Sequence, residues 1–196
     1  MHKGEAQDMP TLRKAVVIVV DPKSIRLLAD FTRTEILRLL SKYPMTETQL
    51  SEKLGITRAA VGYHLHLLTE AGLINIEKVE SEQHGILQKY YAPLAFLFII
   101  DPDHVPQDVK RYYVRMQIEH LRGMFSVFQL YHRISEFSSK TLEKLAIAML
   151  KQLKIVGQKH VKDMARGDAE SLRVKIYAEA LANLTQQKEW RSLFQE

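Results

Sequence analysis

The chain has 196 residues, 46% hydrophobic and 26% charged, a balance that suits one or two small domains with buried cores and excludes disorder or a collagen-like repeat. It contains no cysteine, which rules out disulfide frameworks, thiolate nucleophiles, iron–sulfur clusters and metal sites that need a thiolate ligand. Lys and Arg number 28 against 23 Asp and Glu, a formal charge of +5 and a mild bias toward polyanions such as nucleic acid.

The longest apolar runs, 15–20 and 94–100, fall far short of the ~20 residues that a membrane helix needs, and the first has no small-residue cleavage site. These features predict a cytoplasmic protein with no membrane partner. Residues 1–14 read as a flexible tail leading into a strand within "TLRKAVVIVV". Pro22 suits a helix start, and Ile25, Leu28, Phe31, Ile36, Leu37 and Leu40 recur at helical spacing across a join that Asp30 or Thr32 can cap. Pro44 stops this helical stretch. Thr46 with Gln49 three residues on is a capping-box signature for a short helix that ends at Gly55. Thr57 caps the next helix, in which Val61, Leu65 and Leu68 share one face and His64 lies inward, and Gly72 marks its left-handed end.

Beyond Gly72 the apolar period falls to two. Leu73, Ile74, Ile76 and Val79, the polar tip "ESEQHG", then Ile86, Leu87, Tyr90 and Tyr91 predict a β-hairpin. Residues 93–106, ending in "DPDHVP", read as a linker. Three helices are expected after it, from about 107 to 134, 139 to about 166, and 168 toward the C-terminus.

Three helices followed by a hairpin, with a short helix, a tight turn and a second amphipathic helix among them, is the order of a winged helix-turn-helix. The fold class expected is therefore mainly α with a small β-hairpin wing: a winged helix-turn-helix domain over 15–92 and a C-terminal α-helical dimerisation domain, with room for an effector, over 107–196. The segments "LADFTRTEIL", "TETQLSEKLGI" and "AVGYHLHLLTEAGLI" resemble the winged-helix domain of ArsR-type transcription regulators, especially their archaeal branch with an added C-terminal helical domain. That resemblance implies a sequence-specific, double-stranded DNA-binding regulator, taken as a repressor and acting as a homodimer. The chain departs from the family pattern at Phe31, where Pro is frequent, and at Gly62, where Ser is frequent. It also lacks the Cys-containing motif of the metal-sensing members, so thiolate-triggered release is not carried over.

The buried face of the third helix leaves Thr57, Arg58, Ala59, Gly62, Tyr63 and His66 to meet a major groove. Arg58 is placed for a bidentate pair to guanine and Thr57 for a phosphate. Arg33 and Lys53 complete the candidate DNA contacts in the helical part, and Lys78 and Lys89 in the wing, where Glu77, Glu80 and Glu82 weaken the case. Residues 1–92 hold 12 Lys and Arg against 11 Asp and Glu, so the positive surplus lies in the other half. An interaction protein that uses the winged helix to bind a component of the transcription machinery is the competing reading.

In the second C-terminal helix, Leu142, Ala146, Met149, Leu153, Val156 and His160 follow the 4-3 alternation of a coiled-coil seam. This seam can pair within the chain or with a second copy, and the dimer is the expectation taken. The aromatic and Met-rich helix before it can line a pocket for a small apolar effector. Phosphate-cradling loops, a nucleophile elbow, HExxH and helical histidine pairs are all missing from the sequence, so no enzyme activity, metal or cofactor is read.

Overall fold

The computed structural model describes residues 13–81, 87–130 and 137–194. The N-terminal half runs β1 (Lys14–Val19), α1 (Pro22–Leu28), α2 (Phe31–Lys42), α3 (Glu47–Leu54), α4 (Arg58–Glu70), β2 (Ile74–Ser81) and β3 (Leu87–Pro93). The chain continues through β4 (Ala95–Ile100), a 3-10 turn at Pro102–His104, α5 (Gln107–Leu130), α6 (Ser139–Gln158), α7 (Ala169–Gln186) and α8 (Lys188–Phe194). The architecture is mainly helical with a small hairpin. Most of the expected 1–14 tail, and the hairpin tip 82–86, lie outside the described residues.

Local chemistry sets the N-terminal helix ends. Asp21 caps α1 through the Ser24 amide, and Pro22 opens its first turn. Asp30 accepts from the Arg33 amide at 2.9 Å and starts α2, while Thr32 falls inside the helix. Thr46 and Gln49 form the reciprocal capping box of α3, which ends at Gly55 with φ +65°. These three helices, α1 to α3, pack with α4 around Ile25, Ile36, Leu40, Leu50, Val61 and Leu65, all essentially without solvent contact. Each such side chain contributes roughly 1.5–3 kcal/mol by leaving water.

The hairpin β2–β3 is antiparallel, with Ile74 opposite Pro93 and Ser81 opposite Leu87. Met45, just ahead of α3, pairs with Tyr91 through two backbone hydrogen bonds and ties the hairpin to the helices.

The expected linker 93–106 is the principal correction. It contains β4, which pairs in parallel with β1, Val16 opposite Leu97 and Val19 opposite Ile100. This two-stranded sheet is the partition between two cores. Val16, Ile18, Leu97 and Ile99 face the C-terminal helices, whereas Val17, Val19, Phe98 and Ile100 face α1 to α4. Burial on both faces explains why both strands are unbroken apolar runs, which a parallel pair requires and a period-two pattern does not reveal.

The second core joins α5, α6 and α7 on the other face of that sheet, with Trp190 of α8 buried at its edge. Gly157 of α6 meets this sheet so closely that a β-carbon there would collide with the side chain of Ile99. The helix ends at Gln158, shorter than the expected reach to about 166, because 163–165 run antiparallel beside β1. Ala15 donates to the Asp163 carbonyl at 2.9 Å, and Ala165 donates to the Arg13 carbonyl at 2.8 Å.

The seam residues Leu142, Ala146, Met149, Leu153 and Val156 are buried inside this one chain, and His160 is held at its end by Asp163 at 2.9 Å. The seam therefore satisfies itself within the subunit and is not left open to a second copy.

Candidate nucleic-acid interface

Helices α3 and α4 are joined by Gly55, Ile56 and Thr57. The left-handed Gly55 reverses the chain, and the Thr57 hydroxyl accepts from the Ala60 amide at 3.2 Å to start α4. With Val61, Leu65 and Leu68 anchored in the core, the opposite side of α4 is left to solvent. Ala59, Tyr63 and His66, spaced four and three apart, form one exposed stripe, with Tyr63 60% exposed, and Arg58 stands exposed at the helix start. His66 lies 3.5 Å from Glu70 one turn on. His64 is turned inward, half-buried, with its ring edge-on to Tyr63.

Residues 28–77 match a family model described as a helix-turn-helix domain. This segment is a helix-turn-helix domain. Its hairpin, which follows α4 and is tied to the segment ahead of α3 by the Met45–Tyr91 pairing, is the wing. No curated protein matches the chain. Among solved structures, the chain is similar to reduced HlyU from Vibrio cholerae, at 21% identity over 53% of this chain and 85% of the other, with TM-score 0.31. It is also similar to the homodimeric winged helix-turn-helix domain Mb0332 from Mycobacterium bovis, described as a possible ArsR-family regulator, at 19% identity over 51% and 77% of the two chains, TM-score 0.32. A third is the adhesin competence repressor AdcR from Streptococcus pyogenes, at 19% identity over 66% and 79%, TM-score 0.30.

The structure gathers Thr57, Arg58, Ala59, Tyr63 and His66 on the leading end and outer face of α4. Gly62 is different. The place of its missing side chain is filled by the Glu47 carboxylate of α3, so its close approach is to a neighbouring helix of the helix-turn-helix domain and not to an open groove. Glu47 also acts on Tyr91, whose phenol is pushed up first by burial and then by this nearby negative charge. The sequence signal for this packing was the glycine in a helix interior, a position that costs ~1 kcal/mol relative to Ala and so requires a reason.

Arg33 is not part of the exposed face. Its side chain donates to the Leu27 carbonyl, lies 3.6 Å from Asp30, and is spent on the α1–α2 joint. Lys53 is exposed near the end of α3.

In the wing, Lys78 pairs with Glu80 at 2.6 Å and stacks 4.5 Å over the Tyr90 ring, while Lys89 is exposed on β3. Hydrogen bonds from Lys78 and then Tyr90 hold the Glu80 carboxyl below its ordinary range. Sequence reading missed the ion pair that seats the wing: Arg13 and Glu77, 2.6 Å apart and largely shielded from solvent, join the start of β1 to β2. No local pattern links residues 64 positions apart. Among the described residues no helix is long and apolar enough to cross a membrane, and no group of three His, Asp or Glu side chains is placed to hold a metal ion.

Proposed function

We propose that this chain is a non-enzymatic transcription regulator that binds specific double-stranded DNA through α4. The observation that carries the reading is the division of α4 into a buried face of Val61, Leu65 and Leu68 and an exposed face led by Arg58, Tyr63 and His66. In a helix-turn-helix the second helix enters the major groove, where Arg pairs bidentately with guanine O6 and N7. Thr57 and Lys53 contact phosphates, and Lys78 and Lys89 approach the backbone from the wing. Gly62 serves the α3–α4 packing and Arg33 the α1–α2 joint.

The regulator acts as a homodimer, because two half-sites a helical turn apart multiply affinity and specificity, and it represses by occupying its operator. With the α6 seam filled from within, the contact between copies falls to apolar side chains left exposed on the C-terminal half, Leu130 and Ile155 among them. Sedimentation of the full chain at micromolar concentration is expected to give a dimer.

The near-neutral balance of residues 1–92 favours one second reading, a winged helix that docks on a protein of the transcription machinery. A mobility-shift assay against genomic fragments at several salt concentrations, with sequencing of the bound DNA, decides between them. The DNA reading predicts enrichment of a defined two-half-site sequence, and the adaptor reading predicts none.

A further inference from the structure

A cleft of about 1080 Å³ opens between α2, β4, α5 and α7, large enough for a ligand of several hundred daltons. Leu97, Ile99, Met116, Met124, Ile176 and Leu181 give it apolar walls. Polar and charged residues interrupt them, and one of these is buried without a partner. Gln117 of α5 lines the cleft, is only 2% exposed, and its Nε2 has no hydrogen-bond partner among the described residues. A buried amide donor left unmade is costly, and an acceptor atom from an occupant removes that cost.

The charged residues around the cleft decide the charge of the occupant. Both guanidiniums are committed to carboxylates, Arg38 to Glu35 and Arg173 to Glu170 at 3.3 Å. Glu119, also in the lining, is paired with Arg122 at 3.0 Å. His120, whose Nδ1 lies 3.3 Å from the Tyr177 hydroxyl, is shifted toward its neutral form by burial and then by the charge of Arg173. An anionic ligand would find no uncommitted cation among the described lining residues, and burying an unpaired charge is expensive.

We propose that this cleft binds an uncharged, largely apolar carbonyl compound, its oxygen accepting a hydrogen bond from Gln117 Nε2. The walls come from both halves of the molecule, α2 from the helix-turn-helix domain and α5 and α7 from the C-terminal helices, so an occupant bears on the placement of one against the other. The inference adds a regulatory ligand to the DNA-binding reading and rests on it only for that consequence.

The test uses the full chain without DNA, so a failure to bind ligand is distinct from a failure to bind an operator. The uncharged dye Nile red is bound, then displaced by 2-nonanone, nonanoate or nonane. The expected result is saturable displacement by 2-nonanone, about tenfold tighter than by either competitor, the size of one added hydrogen bond. Gln117→Leu should weaken 2-nonanone about tenfold and leave nonane unchanged. The proposal is overturned if nonanoate or nonane competes as well as the ketone, if Gln117→Leu binds the ketone as tightly as the wild type, or if the dye does not bind because a second copy covers the cleft. Should Gln117→Leu fail to fold, the three competitors on the wild-type chain still decide the matter.

Discussion

Glu47, the first residue of α3, lays its carboxylate over Gly62 of α4 in the space that a β-carbon would fill. The contact is with the far end of a flexible side chain, which can swing aside, whereas the backbone gain of replacing glycine in a helix interior is ~1 kcal/mol. Gly62→Ala is therefore expected to raise the urea midpoint. It should leave operator affinity unchanged, since the position faces α3. A loss of DNA binding in a stabilised variant would return Gly62 to the interface.

The Asp101 carboxylate, at the end of β4, is almost wholly buried and collects Lys154 at 2.7 Å, the Asp103 amide at 3.0 Å and His104 at 3.0 Å. Burial alone would raise its pKa, but these partners, Lys154 first, more than offset it and hold the carboxyl below its ordinary value. A carboxylate depressed in the folded state contributes stability that is present above the unfolded value, near 3.9, and is lost as pH falls through the folded one. Asp101→Asn is expected to lower stability by about 1–3 kcal/mol at pH 7. The deficit should begin to shrink below about pH 4, where the unfolded carboxyl protonates, and should close only as the pH falls through the lower folded value, where the native carboxyl also becomes neutral. Denaturant melts across pH 3–7 measure it.

Met149 of α6 is enclosed by α5, α7 and the parallel sheet of its own chain. Truncation to Ala removes a core side chain and leaves a cavity, a loss of ~2–5 kcal/mol. Because the contact is within the subunit, the loss should be the same at all protein concentrations. A cost that appears only at high concentration, where dimers form, would place the seam between subunits.

Lys78 of the wing is held by Glu80, so part of the positive charge near the phosphates is neutralised in place. Glu80→Gln is expected to tighten DNA binding without changing the preferred sequence. With few phosphate contacts the wild type should show a shallow salt dependence, each contact adding about 0.9 to the slope of log affinity against log salt. Gel-shift titrations at several salt concentrations give both quantities. The accompanying wing carboxylate Glu82 lies outside the described residues.

The elements of the helix-turn-helix were legible because each is set by neighbours in sequence. Asp30, the Thr46–Gln49 pair, Gly55, Thr57 and Gly72 act within a few residues, and their caps and turns stand where the sequence placed them. What was not legible depends on partners far along the chain. β4 has its strand character because β1, about 80 residues earlier, pairs with it, and α6 stops at Gln158 because 163–165 are claimed by the other edge of β1. The 4-3 spacing of α6 is equally compatible with a partner inside or outside the subunit, and only the packing of α5 and α7 around it separates the two. Arg33 was misplaced for the same reason, since nothing local shows that its guanidinium turns back to the Leu27 carbonyl.

The central claim, that α4 reads base pairs, is tested most directly by Arg58→Ala at the operator identified by sequencing bound DNA. The account predicts a loss of about 1–3 kcal/mol in binding free energy, confined to that sequence, with weaker discrimination at the contacted guanine and an unchanged thermal midpoint. An Arg58→Ala chain that stays folded and binds the same operator as tightly and as selectively as the wild type would contradict it.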